Sequence, residues 1–153
     1  MPSKAYKKGY SLERYAQLTL EFNGWHVKRN AMSIGIEDLI AFRDGYGVLL
    51  IQCKNTKRGE KSMSKEEQAI LKQHATDLGG IPVYLYKDGR NQYVWLDLNF
   101  GLRLDEALRP YTKEWYRERM SMRTKLRNMK RKNLAEYNRY VIKNWKEVEK
   151  YIC

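Results

Sequence analysis

Two polar side chains interrupt the end of the most hydrophobic segment of the chain. Gln52 and Lys54 lie in the last three positions of the segment GVLLIQCK, residues 47–54. Residues two apart in a strand project from the same face of a sheet, so the amide and the ammonium are predicted to be neighbours. An acidic residue, Asp38, begins the preceding apolar run. Carboxylate and amide oxygens can bind Mg²⁺, and an ammonium can neutralise charge developing on a phosphate, so this combination points to phosphodiester hydrolysis.

A β-hairpin is predicted to bring these side chains together. The letters DGYG between two apolar runs are typical of a hairpin turn. A loop of residues 44–46 would place Arg43 opposite Gly47. Counting along both strands then puts Asp38 opposite Gln52, with Lys54 one step further on the same face.

The elements around this hairpin predict an α/β fold. A helix is expected over residues 10–23, with Ser11 as its N-cap, and a short strand in WHVKRN follows. A second helix is expected in SKEEQAILKQHATDLGG, begun by a capping box of Ser64 and Glu67 and ended by two glycines. IPVYLYK and NQYVWLDL read as two more strands. The order of helix, three strands, helix and two strands predicts a central mixed sheet flanked by helices.

The positive charge is concentrated at the end of the chain. The 153 residues carry a formal charge of +12, with 14 Lys or Arg against 5 Asp or Glu in residues 109–153. This region is predicted to form one or two long amphipathic helices, with a break near Asn133. The run RTKLRNMKRKN is expected to bind phosphate without reading sequence. Its apolar stripe would serve packing or dimerisation, and attachment to a membrane surface is the less favoured interpretation.

Several other classes of protein are not indicated. No apolar run is long enough to cross a bilayer, and no signal-peptide pattern opens the sequence. Cys53 and Cys153 are a hundred positions apart and have no zinc-type spacing. We therefore expect a reduced, cytoplasmic protein with no membrane partner and no small-molecule cofactor.

The ordered set of motifs resembles the PD-(D/E)XK nuclease superfamily and, within it, the archaeal-type Holliday-junction resolvases and their viral relatives. The resemblance is carried by Glu13, by GWHVKRNAMSIGIEDLIA and by IQCK, and it covers about residues 7–98. It implies a restriction-endonuclease-like nuclease core at residues 1–108, followed by a basic helical tail at residues 109–153.

The resemblance also implies a metal site. Asp38 would be the principal ligand of Mg²⁺, for which Mn²⁺ would substitute, and the backbone carbonyl of Cys53 would complete the coordination. Gln52 stands where the family usually has an acidic ligand. An amide can bind Mg²⁺ through its oxygen but carries no charge, so metal affinity should fall. Glu37 stands where a proline usually precedes the aspartate, a departure of less consequence.

Further roles follow from the same resemblance. Lys54 would act on the attacking water or on the scissile phosphate, and Glu13 would help to hold the metal or its water. Ser33 would contact DNA near the cut, and such resolvases are symmetric homodimers acting on branched DNA. The remaining expected DNA contacts are basic residues of the loop after the hairpin and of the tail: Lys57, Arg58, Arg123, Lys125, Arg127, Lys130, Arg131 and Lys132.

The favoured hypothesis is a metal-dependent endonuclease that resolves four-way junctions by direct hydrolysis, with no covalent enzyme intermediate. Two alternatives remain open. One is a general repair or restriction-type DNA nuclease, because the core motif does not distinguish these activities. The other is a catalytically silent DNA-binding protein on the same fold, an interpretation that the uncharged Gln52 motivates.

Overall fold

The computed structural model describes residues 2–30, 36–89 and 92–152. The chain divides into two compact units, Met1–Arg109 and Pro110–Cys153. Among the helices of the described ranges, none is both long enough and apolar enough to cross a membrane.

The first unit is built on a five-stranded mixed sheet. Its elements in chain order are α1 (Lys4–Phe22), β1 (His26–Arg29), β2 (Leu39–Arg43), β3 (Gly47–Lys54), α2 (Lys65–Asp77), β4 (Ile81–Lys87) and β5 (Tyr93–Asp97). Short 3₁₀ turns follow β3 at Gly59–Ser62 and β5 at Asp105–Ala107. The strands lie in sequence order, with β3 and β4 parallel and every other neighbouring pair antiparallel. The predicted fold class and order of elements are confirmed.

Each face of the sheet is covered by one helix. The cluster on the α1 side joins helix residues to alternate strand residues: Leu12, Ala16, Leu20, Leu39, Leu49, Ile51, Val83, Leu85 and Trp95. The cluster on the α2 side takes the intervening positions: Leu50, Leu71, Ala75, Tyr84, Tyr86 and Val94. Strand β3 is therefore buried on both sides, which explains its nearly continuous apolar sequence.

Helix α1 begins earlier than predicted. Its first residue is Lys4, so Ser11 lies in the helix interior and is not an N-cap. The Ser11 hydroxyl donates to the carbonyl oxygen of Lys7 at 2.9 Å. A serine can satisfy its hydroxyl on the preceding turn in this way, so its presence did not mark a helix start.

The capping box predicted for α2 is only partly formed. Ser64 is the N-cap, and its hydroxyl oxygen accepts from the backbone N–H of Glu67 at 3.1 Å. The Glu67 carboxylate instead lies 3.1 Å from the ammonium of Lys54. An opposite charge on β3 thus engages the side chain that the capping box would have used.

The second unit contains three helices where one or two were predicted: α3 (Lys113–Lys132), α4 (Leu134–Lys143) and α5 (Trp145–Ile152). The break expected near Asn133 is confirmed, because Asn133 ends α3 and its side chain caps α4 through the N–H of Glu136 at 3.1 Å. A second break occurs at Asn144, whose amide donates to the carbonyl of Tyr140 at 2.9 Å. Leu126 and Val148 form a small core within this unit, so much of the apolar stripe serves internal packing.

Candidate active site

The hairpin has the predicted register. Arg43 pairs with Gly47 and Leu39 with Ile51, and the backbone N–H of Asp38 donates to the carbonyl of Ile51 at 2.8 Å. Asp38 immediately precedes β2, one residue before the first paired position, Leu39, so its place opposite Gln52 stays a prediction. The turn chemistry of four residues therefore positions a carboxylate from one strand beside the polar end of the next.

The carboxylate of Asp38 is held by the backbone of β3. Its Oδ2 accepts from the N–H of Cys53 at 2.8 Å. The pKa of Asp38 is raised to about 6, chiefly because burial disfavours the charged form. The Cys53 hydrogen bond lowers this pKa, the charge of Glu13 raises it, and Lys54 and Arg29 lower it. A desolvated carboxyl group with cations in electrostatic reach is typical of a functional site.

Gln52 is buried with an unsatisfied acceptor. The residue is 8 % exposed, and its Oε1 has no hydrogen-bond partner among the residues that the structure describes. It pairs with Tyr84 across the parallel β3–β4 ladder. A buried carbonyl oxygen without a donor is costly, so this oxygen would gain from contact with a water or a cation.

Lys54 connects the hairpin to α2. Its ammonium lies 3.1 Å from Glu67 Oε2, and its charge lowers the pKa of Asp38. Lys54 is thus within electrostatic reach of two carboxylates from different elements. The sequence predicted that Glu67 would cap α2. Only its contact with Lys54 in the folded protein indicates another role.

Glu13 is engaged by a cation that sequence reasoning did not single out. Glu13 Oε2 lies 2.5 Å from Arg29 Nη2, and Arg29 also lies over the ring of Tyr10 at 4.7 Å. Glu13 still raises the pKa of Asp38, so it belongs to the same electrostatic neighbourhood. Its interaction with Arg29 reduces the negative charge that Glu13 offers to a metal.

A second unforeseen side-chain contact involves the residue before Asp38. Glu37 is 3 % exposed, and its Oε2 lies 2.7 Å from Nδ1 of His74 in α2. The sequence alone assigned no role to His74. In the folded protein His74 joins α2 to the residue preceding Asp38, a pairing across 37 positions that no local pattern indicates.

The oxygen atoms at this site fit a hard divalent cation. Asp38 supplies a carboxylate, Gln52 an unsatisfied amide oxygen and Cys53 a backbone carbonyl, and Mg²⁺ prefers such ligands. Within residues 2–30, 36–89 and 92–152, no group of three or more His, Cys, Asp or Glu could hold a metal ion. The site therefore combines charged and neutral oxygens rather than forming an acidic cluster.

The expected DNA contacts lie on exposed surface where the structure describes them. Lys57 and Arg58 are exposed just beyond β3, whereas Ser33 lies outside the described residues. The basic residues named in the tail are all exposed on α3. Two of them also engage tyrosines of α4: Lys125 donates to the hydroxyl of Tyr140 at 3.3 Å, and Lys130 lies 5.6 Å from the ring centre of Tyr137.

This sheet, its two covering helices and the polar end of its hairpin define a restriction-endonuclease-like fold. A similar solved structure is that of the Archaeoglobus fulgidus protein Hjc, described as a Holliday junction resolvase from an archaeal hyperthermophile. The match has a TM-score of 0.51 and 23% identity and covers 60% of this chain and 74% of the other. At this identity the likeness supports the fold alone.

The family is shown by sequence. Residues 4–140 match the family model described as archaeal Holliday junction resolvase (Hjc), and the chain belongs to this family. The match reaches beyond the predicted span of 7–98 into the second unit. The chain is also 38% identical over 82 residues to the crossover junction endodeoxyribonuclease Hjc of Methanocaldococcus jannaschii. That alignment covers 54% of this chain and 60% of the relative.

Proposed function

We propose that this protein is a structure-selective DNA endonuclease that resolves four-way junctions by paired phosphodiester hydrolysis. The observation that carries the proposal is the carboxylate of Asp38 bound to the backbone of β3, beside Gln52 and Lys54. Family membership supports the substrate class, because the matching model is that of a junction resolvase. The proposed substrate is branched DNA, and a homodimer would set two such sites against opposed strands.

Asp38, Gln52 and the carbonyl of Cys53 would hold Mg²⁺, with Mn²⁺ as a substitute. When bound, the metal would supply Lewis-acid polarisation of the scissile phosphate. The ammonium of Lys54 would orient the attacking water or neutralise charge that develops on the phosphate. Arg29 would keep the carboxylate of Glu13 in place, and Glu13 would hold water beside Asp38.

DNA would be bound chiefly through its phosphates. Lys57 and Arg58 lie in the turn that follows β3, so they would contact the DNA backbone near the cut. Ser33 is proposed as a further contact there. The exposed basic residues of α3 would widen the footprint and make affinity salt-dependent.

The test is cleavage of an end-labelled four-way junction by the wild-type protein and by Asp38→Asn, with Mg²⁺ and then Mn²⁺. We expect symmetric paired nicks from the wild type and none from the variant, while junction binding in a gel-shift assay survives. Flap and linear duplex DNA of the same sequence are the control substrates. Equal rates on all three substrates would contradict junction selectivity, and a variant that still cuts would remove Asp38 from the site.

Gln52 favours a second candidate, a DNA-binding protein that has lost catalysis. Its uncharged side chain removes one negative charge from the expected ligand set. Junction binding with no cleavage in either metal would establish this alternative. Under the nuclease proposal, Gln52→Glu preserves or raises the cleavage rate, because it adds a charged ligand without changing the size of the side chain.

A further inference from the structure

A basic loop, residues 56–62, follows β3. Its exposed side chains include three cations, Lys57, Arg58 and Lys61, and one carboxylate, Glu60. Ordering a flexible loop costs binding free energy, so a loop that is already fixed binds a phosphate more tightly than a mobile one does. The contacts that hold this loop therefore bear on how well it can bind DNA.

The two ends of the loop are joined to each other. The hydroxyl groups of Thr56 and Ser62 are hydrogen-bonded, and the backbone N–H of Arg58 donates to the Thr56 hydroxyl oxygen at 3.3 Å. The N–H of Gly59 donates to the carbonyl of Thr56 at 3.4 Å, and the N–H of Lys61 donates to that of Arg58 at 3.2 Å. These bonds close the loop on itself.

The middle of the loop is bound to the sheet by a buried hydroxyl group. Tyr84 of β4 is 1 % exposed, and its hydroxyl donates to the carbonyl oxygen of Gly59 at 2.7 Å. Burial raises the pKa of Tyr84 to about 12, so this hydroxyl remains a donor at neutral pH. Gly59 has a φ of 54°, and a Cβ atom there would lie 3.3 Å from the carbonyl oxygen of Lys87. The loop backbone therefore lies directly against β4.

The same tyrosine lies beside the candidate active site. Tyr84 is the partner of Gln52 in the parallel β3–β4 ladder, and Tyr86 is the partner of Lys54. Tyr84 packs with Leu50 in the cluster on the α2 side, and alternation along β3 gives Gln52 the same face. A loop held by Tyr84 thus has a fixed position relative to the polar end of β3.

We propose that the 56–62 loop is a preformed binding site for the DNA phosphates that flank the cleavage position, and that Tyr84 is the positioning residue that fixes it there. This inference deepens the proposed function and rests on it. Lys61 joins Lys57 and Arg58 as a phosphate contact. Tyr84 is buried and acts through the loop, because it lowers the free-energy cost of ordering the loop on DNA.

Limited digestion with trypsin tests the anchor without DNA or metal, because trypsin cuts after Lys57, Arg58 and Lys61. Tyr84→Phe keeps the ring and removes the hydroxyl, so trypsin should cut the loop about five- to tenfold faster, as the loss of one buried hydrogen bond predicts. The matched control is Tyr86→Phe, whose ring centre lies 4.8 Å from that of Tyr84, and it should not change the rate. Equal rates for Tyr84→Phe and the wild type would overturn the proposal.

Junction binding in EDTA tests the phosphate site. Tyr84→Phe should weaken binding by about three- to tenfold at every salt concentration and leave the slope of log affinity against log salt unchanged, because the ordered loop still contacts the same phosphates. Lys61→Gln should instead lower the magnitude of that slope by about 0.9. The control Lys72→Gln removes the same charge from the exposed side of α2 and should leave the slope unchanged.

Bound junction should also protect the wild-type loop from trypsin, a result that depends on no variant. Unprotected sites, or a wild-type salt slope in Lys61→Gln, would contradict the phosphate site. A purely structural role for Tyr84 predicts a lower melting temperature by circular dichroism, with wild-type binding wherever the variant is folded. That result would equally overturn the proposal.

The two proposals fail in different ways. If the wild type binds junctions with the expected dependence on Tyr84 and Lys61 but leaves them intact in Mg²⁺ and Mn²⁺, the nuclease proposal fails and the loop assignment stands. If the wild type cuts junctions while Tyr84→Phe and Lys61→Gln bind them as the wild type does, the loop assignment fails and the nuclease proposal stands.

Discussion

At the scale of single residues, burial of the Asp38 carboxyl group carries an electrostatic cost. Burial raises its pKa to about 6, and one backbone hydrogen bond from Cys53 together with nearby cations offsets only part of this. Under the proposed function, a desolvated carboxylate would gain more from a bound cation than a fully solvated one. The folded protein therefore carries a carboxyl group whose charged form is disfavoured by burial.

The metal-free protein should gain stability when that charge is removed. The folded pKa of Asp38, about 6, lies above its ordinary value of 3.8, so the folded state retains a proton that the unfolded state releases between these values. Raising the pH from 4 to 7 therefore destabilises the wild type at this site. Asp38→Asn should raise the free energy of unfolding at pH 7 by about 1–2 kcal/mol, discounted for partial solvent screening.

Urea denaturation in EDTA between pH 4 and pH 8 measures this effect. The difference between the variant and the wild type should be small at pH 4, grow between pH 4 and about pH 6, and stay constant above that, because the unfolded state releases its proton near 3.8 and the folded state near 6. The Asn side chain can still accept from Cys53 N–H, so that hydrogen bond is retained. A difference independent of pH would contradict the raised pKa.

At the scale of elements, the site depends on how closely α2 and its following loop pack on β3. Gly80 joins α2 to β4, and a Cβ atom there would lie 2.6 Å from Leu50 Cδ1 and 3.1 Å from the carbonyl oxygen of Val48. The absence of a side chain at Gly80 therefore allows the chain to pass directly over β3. The same packing brings Glu67 and His74 of α2 to the hairpin.

Adding one methyl group at Gly80 should disturb this packing. We expect Gly80→Ala to destabilise the fold by about 1–3 kcal/mol, because Leu50 and the Val48 backbone must shift. The matched control is Gly9→Ala, inside α1, where no atom lies within 4 Å of the added Cβ. It should stabilise the protein by about 0.5–1 kcal/mol through helix propensity. Equal stabilities of the two variants in urea would contradict this account.

At the scale of the whole molecule, the dominant property is charge. The net charge of +12 favours nucleic acid as a partner, and the greater part of it belongs to residues 109–153. The side chains of the basic run lie on α3, while Leu126 of the same helix packs against Val148 and Tyr151. The helix thus uses one side for its own small core and exposes its cations on the remainder.

Neutralising part of the basic run should lower the salt dependence of junction binding. Each lost phosphate contact reduces the slope of log affinity against log salt by about 0.9, so a triple variant should lose about 2–3 from its magnitude. The variant carries Lys130→Gln, Arg131→Gln and Lys132→Gln. The control removes the same charge outside the run through Lys143→Gln, Lys146→Gln and Lys150→Gln.

Fluorescence anisotropy with a labelled junction at increasing salt measures both slopes. The slope of log affinity against log salt should fall less in the control than in the triple variant of the basic run, because the three control residues are spread over α4 and α5. Equal losses would show that net charge, rather than the basic run, sets the affinity. Cleavage by the run variant should recover at low salt, since Asp38 and Lys54 are unchanged.

The sequence by itself determined the order of the elements and the register of the hairpin. Both are local properties: apolar periodicity defines the elements, and the DGYG turn sets Arg43 opposite Gly47 and Leu39 opposite Ile51. The break at Asn133 was predicted from the same kind of local signal. The prediction of Ser11 as an N-cap was wrong, because a serine inside a helix can donate its hydroxyl to a carbonyl of the preceding turn.

Only the tertiary structure decided which charges meet. Glu13 binds Arg29 across 16 positions, Glu37 binds His74 across 37, and Lys54 on β3 meets Glu67 on α2. These pairings depend on where each helix lies on the sheet. Side-chain packing sets the position of each helix, and no short sequence pattern indicates that packing. Gln52 and Lys54 were identifiable from the sequence as the polar end of a buried strand. The pairing of Lys54 with Glu67 became identifiable only once α2 was seen against β3, because no local pattern joins residues 13 positions apart on different elements.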